Sequence, residues 1–348
     1  MLHDLAARTL RLMEPEAAHH LSLRALKAGL GPRDRGLGDP ALSVRLAGMD
    51  LPNCIGLAAG YDKDAEVFNP MLAAGFGFVE CGTVTPLSQA GNPGPRLFRL
   101  PRDRAVINRM GFNNGGLEDF ARRLETPREG IVGANLGANK DATDRIGDYV
   151  TGLQRLWGRC DYFAINVSSP NTPGLRNLQA RAALEELAGR LREAREALNR
   201  TRDYPLMLKV APDLKDQEVA DIVSVAAGYG LNGIIVSNTT VERPQDLRSS
   251  KRTETGGLSG APLMSLSTRT LRRFHDANAN AHLALIGAGG IASAEDIYAK
   301  VRAGACAVQL YTALVYSGPG LVRRLKRDLA RRLRSDGFAS IFEAKGAV

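Results

Sequence analysis

The groups in this chain that are able to do chemistry fall into short clusters. Ser169 stands in Asn166-Val167-Ser168-Ser169-Pro170-Asn171-Thr172, where amides and hydroxyls crowd together without an acid or a histidine. Ala59-Gly60-Tyr61-Asp62-Lys63 ends on a lysine, Gly82-Thr83-Val84-Thr85 brings hydroxyls, and Asn135 and Lys209 each close an apolar run. Ser237-Asn238-Thr239-Thr240, Gly287-Ala288-Gly289-Gly290 and Tyr311-Thr312 complete the set. An asparagine offers one acceptor and two donors, so several of them suit a planar ring with alternating N–H and C=O groups. Lys63 and Lys209 would answer anionic parts of such a ligand, because a lysine held out of water needs an anionic or polar partner. The glycines let backbone N–H groups approach a phosphate, with the positive end of a helix beginning near Ser293 adding to them. Ser169 is the best-placed proton acceptor. Its hydroxyl is a poor base unless a relay drains the proton and charge is stabilised opposite it, and on residue type alone it serves equally as a cap on the Pro170 turn.

These clusters need elements that gather them. From about Leu51 onward, short apolar runs alternate with stretches of helical spacing. The runs cover 54–58, 78–81, 131–134, 162–167, 206–210, 233–237, 283–286 and 307–310, and helices are predicted over 145–159, 180–199, 216–229, 266–275 and 294–302. Continuous apolar runs suit strands buried on both faces, and their alternation with helices predicts a parallel sheet. Eight such units predict an α/β fold of the closed (β/α)₈ TIM-barrel type. A doubly wound sheet would want GxGxxG after its first strand, where this chain has Gly56-Leu57-Ala58-Ala59-Gly60. A barrel of this kind builds its active site at the C-terminal ends of its strands, and every cluster named above follows or closes one of the eight runs. The glycines follow the seventh, where barrels often hold phosphate, and Gly257-Leu258-Ser259-Gly260 offers a further piece of the same cradle. A phosphate beside an amide-lined ring site fits flavin mononucleotide (FMN), a hydride acceptor.

Composition narrows the function classes. A chain of 348 residues, 44% hydrophobic, can bury a large core. The net charge of +9 raises the question of nucleic acid, but the seven basic residues between Arg323 and Arg334 oppose only Asp328 and have no interleaved aromatics. That segment reads as a solvated helix face or one attracted to anionic lipid, and no nucleic-acid partner is expected. Cys54, Cys81, Cys160 and Cys306 form no CxxC pair and read as free thiols. The five histidines lack HExxH spacing and the strand ends lack a carboxylate cluster, so no metal is expected. No apolar run approaches the ~18 residues of a membrane span, and no signal-peptide pattern opens the chain. The first forty residues form a different unit. Leu2, Leu5, Ala6, Leu10, Leu12 and Met13 have helical spacing; Glu14-Pro15-Glu16 starts a second helix, whose stripe is Ala18, Leu21, Ala25, Leu26 and Leu30. We therefore expect an N-terminal pair of amphipathic helices over 1–40 and a barrel domain over 41–348. The pair can pack on the barrel or turn its apolar face to lipid.

Four stretches together resemble a known family: Ala59 through Lys63, Ile107-Asn108-Arg109-Met110-Gly111-Phe112-Asn113-Asn114, Asn166 through Gly174, and Gly257-Leu258-Ser259-Gly260. They are similar to class 2 dihydroorotate dehydrogenases, quinone-linked enzymes of pyrimidine synthesis, and the likeness runs over nearly the whole chain, including Leu12 through His19. The resemblance implies oxidation of dihydroorotate to orotate on FMN. It implies FMN contacts from Ala59, Gly60, Tyr61, Asp62, Lys63, Thr83, Asn135, Asn166, Lys209 and Ser237, with Gly260, Gly289, Tyr311 and Thr312 on the phosphate side. Substrate contacts would come from Lys63, Asn108, Arg109, Met110, Gly111, Phe112, Asn166, Asn171, Asn238 and Thr239. Ser169 would take the C5 proton as hydride leaves C6, with Phe112 and Thr172 assisting a water relay. His19 and Arg99 would lie between a membrane quinone and the flavin. The N-terminal pair would give quinone its access and attach the protein peripherally to the cytoplasmic face of a bacterial inner membrane, helped by Arg8, Arg11 and the basic C-terminal helix; a monomer is compatible with all of this. A soluble relative using fumarate or NAD⁺ would carry a cysteine in place of Ser169. A 2-hydroxy-acid oxidase would want a histidine base, yet none occurs between His20 and His275. An RNA-binding barrel would leave the amide-lined mouth unexplained.

Overall fold

A computed structural model describes residues 9–36, 38–198 and 202–347. Most of the first predicted helix, with Leu2, Leu5, Ala6 and Arg8, lies outside the described residues, as does Asn199 at the end of another. The second N-terminal helix is α1 (Pro15–Lys27), with proline in its first turn and the Glu14 carboxylate accepting from Ala17 N at 2.7 Å. A short antiparallel hairpin, β1 (Val44–Leu46) and β2 (Met49–Leu51), buries Leu46, Met49 and Leu51 in the main core.

All eight apolar runs are strands: β3 (Ile55–Leu57), β4 (Phe78–Val84), β7 (Ile131–Leu136), β8 (Tyr162–Asn166), β9 (Leu206–Val210), β10 (Gly233–Val236), β12 (Ala284–Ala288) and β13 (Ala307–Leu310). They pair in parallel and close into a barrel in chain order. Two glycines make room inside. A Cβ on Gly56 would lie 2.3 Å from the Phe78 ring, and one on Gly133 would lie 2.2 Å from the Tyr162 ring. The two aromatic rings thus fill space that neighbouring side chains would otherwise occupy.

Helices cover the outside: α2 (Phe68–Ala73), α3 (Leu117–Arg123), α4 (Arg145–Leu156), α5 (Arg181–Leu198), α6 (Asp216–Gly228), α7 (Met264–Ala277), α8 (Ala294–Arg302), α9 (Thr312–Ser317), α10 (Leu321–Ser335) and α11 (Ile341–Ala344). The basic C-terminal segment is α10. It buries Leu321, Val322, Leu325, Leu329, Ala330 and Leu333, and its charged side is partly committed, with Lys326 paired to Asp34 and Arg334 to Asp39. Those pairs fasten the segment that links α1 to the barrel.

One unit was not anticipated. β5 (Leu97–Leu100), β6 (Ala105–Asn108) and β11 (Gly257–Gly260) form an antiparallel sheet in the order β11-β6-β5. It has a small core of its own, including Phe98, Leu100, Ile107 and Leu258. This sheet carries Asn108 at the end of β6, the start of the loop that returns toward the barrel mouth.

Candidate active site

The site is built upward from a charged group that sequence reading missed. Glu80, in the middle of β4, is fully buried. Its Oε1 accepts from Lys209 Nζ at 3.2 Å and from Asn135 Nδ2 at 2.8 Å, and its Oε2 accepts from Gln309 Nε2 at 2.7 Å and Tyr162 OH at 3.2 Å. Lys209 therefore has the anionic partner that its burial demands. Above this floor the amides interlock. Thr83 Oγ1 donates to Asn135 Oδ1 at 2.5 Å, Asn166 Nδ2 donates to Thr83 Oγ1 at 3.0 Å, and Asn238 Nδ2 donates to Asn166 Oδ1 at 3.3 Å and Ser168 Oγ at 3.1 Å. Side chains from four strand ends are thus held in fixed orientations at one opening.

The opening leads into a cavity of about 380 Å³. It brings together Ala59, Gly60, Tyr61, Lys63, Thr83, Asn108, Met110, Gly111, Phe112, Asn166, Ser169, Asn171, Lys209, Ser237, Asn238, Thr239, Gly260, Gly289, Tyr311 and Thr312, and extends to His19 and Arg99. Asn171 Nδ2 donates to Asn108 Oδ1 at 3.0 Å, which ties the Ser169 loop to the end of β6. Ser169 is buried, and its Oγ accepts from Asn171 N at 3.2 Å, so it does cap the turn while also facing the cavity. Lys63 Nζ donates to Gly60 O at 2.9 Å and makes no ion pair among the described residues. Burial pushes its pKa down to about 8.

Four expected site residues do not line the cavity. Asp62 turns the other way, its carboxylate accepting from Glu66 N at 2.7 Å and Val67 N at 2.8 Å, so it organises the loop ahead of α2 and leaves Ala59–Tyr61 and Lys63 at the wall. Arg109 follows the alternation of an extended segment, in which neighbours point to opposite sides. Asn108 and Met110 face in; the Arg109 guanidinium pairs with Glu254 at 2.8 Å and lies 4.5 Å over the Phe98 ring. Asn135 stands one layer below, supporting Thr83 and Asn166. Thr172 is buried with its hydroxyl unpartnered, and a buried hydroxyl of that kind marks a place for a water or ligand.

The glycine segment forms a cradle. Gly289 and Gly290 have φ of +99° and +84°, and a Cβ on Gly290 would sit 2.3 Å from Met264 Cα. Gly260, φ +95°, faces Arg104 O at a similarly excluded distance of 2.4 Å. No protein group among the described residues accepts from the Gly289 and Gly290 N–H groups. The helix that follows, α8, carries a capping pair at its start. Ala292 N and Ser293 N donate to the Asp296 carboxylate, each at 2.9 Å, and Asp296 N donates to Ser293 Oγ at 3.1 Å. The start of α8 is therefore met only in part by its own side chains: among the described residues no group accepts from Ala294 N or Glu295 N. A phosphate fits this place by virtue of the glycine backbone, beside Tyr311 and Thr312 at the start of α9. The donor set as a whole fits FMN: amides and Lys209 for a ring, Gly260, Gly289 and Gly290 for a phosphate.

The N-terminal segment joins the same cavity. Ser22 Oγ lies 3.2 Å from Tyr61 OH, and Tyr61 stands edge-on between His19 and Tyr311, with ring centroids 5.4 and 5.5 Å apart. Arg99 donates to the carbonyls of Arg11 at 3.0 Å and Met13 at 2.7 Å, while Arg96 pairs with Glu16 at 2.6 Å. His19 has its pKa lowered to about 3, chiefly by burial and then by the nearby Lys63 charge, so it is neutral at pH 7. Ser22 and Gln309 are cavity-wall residues that sequence reading did not find.

A parallel eight-stranded barrel with an amide-lined mouth, a phosphate-sized glycine cradle and a lysine facing the ring space defines a cofactor-bearing (β/α)₈ oxidoreductase. The family model for dihydroorotate dehydrogenase matches residues 41–333, and the chain belongs to that family. It is 54% identical to a "Dihydroorotate dehydrogenase (quinone)" of Rhodospirillum rubrum, over 96% of this chain and 91% of the relative. It is 52% identical to a protein of the same name from Parvibaculum lavamentivorans, over 99% and 98%. Among solved structures, dihydroorotate dehydrogenase of Eimeria tenella in complex with ferulenol has a TM-score of 0.91 at 40% identity, covering 95% of each chain. Its ligand-free form has a TM-score of 0.92 at 41% identity, covering 95% of this chain and 98% of that one.

Proposed function

We propose that this protein is a quinone-dependent dihydroorotate dehydrogenase of pyrimidine biosynthesis that holds FMN in the barrel mouth. The observation that carries the reading is the convergence of Lys63, Ser169, the interlocked asparagines and the Gly289–Gly290 cradle on one cavity. FMN would be held by Ala59–Tyr61, Lys63, Thr83, Asn166, Lys209 and Ser237, with Gly260, Gly289, Tyr311 and Thr312 at its phosphate, and it supplies the acceptor for a hydride from substrate C6. The remaining chemistry belongs to the chain. Lys63 meets the substrate's negative charge, while Asn108, Asn171, Asn238 and Thr239 hold its ring by hydrogen bonds and the Met110–Phe112 backbone closes over it. Ser169 receives the C5 proton. The unpartnered Thr172 hydroxyl supports a water-borne exit for that proton.

Residues 1–40 act as the quinone-access extension, with His19 of α1 and Arg99 of β5 as the polar residues between quinone and cofactor. Leu12, Met13, Leu21 and Leu30 are exposed, and Leu30 lines the same cavity. That supports an apolar partner arriving from this side and peripheral attachment to anionic lipid at the cytoplasmic face of a bacterial inner membrane. Among the described residues no helix is long and apolar enough to cross a membrane.

The test is spectroscopic. Purified protein should be yellow, lose its flavin absorbance on anaerobic dihydroorotate, and regain it on addition of a short-chain quinone. Colourless protein that takes up no FMN, or a flavin untouched by dihydroorotate, would end this reading.

A further inference from the structure

Behind the glycine cradle lies a lysine that the proposed reaction does not use. Lys300, on the inner face of α8, is 0% exposed, deeper than either cavity lysine. It makes no ion pair among the described residues. Its one hydrogen bond there runs from Nζ to Ser267 Oγ at 2.6 Å. Ser267 Oγ in turn lies 2.8 Å from Leu263 O and 3.0 Å from Gly289 O, among which its single proton is shared. The ammonium is thus one hydroxyl away from the turn that carries the cradle.

One carboxylate acts on it without pairing. Asp296, one turn earlier on the same helix, partly offsets the burial of Lys300, but its Oδ2 accepts from Ala292 N and Ser293 N and it forms no ion pair with Lys300 among the described residues. A buried ammonium with no ion-pair partner is costly. The cradle has the complementary deficit. It would take a phosphate, yet Gly260, Gly289 and Gly290 bring only neutral N–H groups, and the side chain at the start of α8 is a carboxylate, Asp296.

We propose that Lys300 is a positioning residue for the cofactor phosphate, placing a positive charge under the cradle and bracing its turn through Ser267. Two effects follow from the geometry. The charge attracts an anion seated above it across a dry, low-dielectric layer, where it is weakly screened. The Ser267 link holds the Gly289 carbonyl back, and because C=O and N–H of a trans peptide point opposite ways, the Gly290 N–H is turned away from Ser267. Glycine at 287 leaves the space the lysine stem occupies, since a Cβ there would lie 3.2 Å from Lys300 Cβ and Cδ.

The inference rests on the FMN reading, and the test separates the two. Full-length protein is stripped of flavin and titrated with FMN and with riboflavin, which has the same ring and no phosphate, following flavin fluorescence. Wild type should prefer FMN. Lys300→Met should raise the Kd for FMN about tenfold or more, the scale of one lost charge contact, and change that for riboflavin less than about threefold. Ser267→Ala, the milder variant that serves if Lys300→Met does not fold, should show the same selectivity at roughly threefold. Equal losses for both flavins, or none for FMN, would overturn the role of Lys300. Wild-type protein that binds neither flavin, or does not distinguish them, would overturn the cradle reading itself.

Discussion

Replacing Lys63 by methionine keeps much of the stem volume and removes the charge. Among the described residues the ammonium has a single hydrogen-bond partner, Gly60 O at 2.9 Å, and pairs with no carboxylate. Its charge is therefore free to be met by an anionic ligand. A hydrogen bond to a charged group contributes about 1.5–3 kcal/mol, so orotate should bind roughly 10–150-fold more weakly to Lys63→Met. The pH dependence sharpens the test. The Lys63 pKa is pushed down to about 8 by burial, so the unliganded site carries its charge below that pH and loses it above. Binding an anion raises the pKa again, and wild-type affinity for orotate should hold below pH 8 and weaken between 8 and 9. In Lys63→Met the same titration should be flat. Orotate is titrated into the oxidised holoprotein by its perturbation of the flavin spectrum, with flavin content quantified first because Lys63 also borders the cofactor space. Unchanged affinity in the variant, or a variant that keeps the wild-type pH slope, would refute the assignment.

Three further outcomes are expected. Ser169→Ala should retain flavin and bind dihydroorotate but slow flavin reduction in a single turnover by at least about tenfold; near-wild-type reduction would remove Ser169 as the base. Glu80→Gln strands the Lys209 ammonium and should destabilise the protein by about 3–5 kcal/mol, with part of that recovered in the double variant Glu80→Gln/Lys209→Met. Strict additivity in chemical denaturation would mean the pair is not coupled. Removing residues 1 to about 35 should depress quinone turnover far more than reduction by dihydroorotate, and equal loss in stopped-flow and steady-state assays would make the segment a structural part only.

The barrel was readable because its strands are buried on both sides, so each appears as an unbroken apolar run whatever its partner. The α8 boundaries, Ala294–Arg302, were legible for a local reason, the Ser293 and Asp296 capping pair. The β5-β6-β11 sheet was not legible. Its strands are four residues long, and β11 joins β6 across about 150 positions of sequence, so no local period announces them. Glu80 was hidden in a similar way. A lone acid in an apolar run shows its purpose only when Lys209, Asn135, Tyr162 and Gln309 arrive from distant strands. For the site, residue type found the cavity wall but not direction. Arg109 and Asp62 sit between inward-facing neighbours, and what turns them outward, the pairing of Arg109 with Glu254 and the hold of Glu66 N and Val67 N on Asp62, exists only in the folded loop.

The network around Glu80 has a further effect on traffic. By knotting carboxylate, ammonium, amides and a phenol across the waist of the barrel, it makes a cup and not a tube. Whatever enters must leave over the same rim: under the proposed roles, dihydroorotate and its proton by the flank near Ser169, the electron acceptor by the flank near α1. On that proposal a molecule wedged at one flank leaves the other open, and the two half-reactions can be obstructed one at a time.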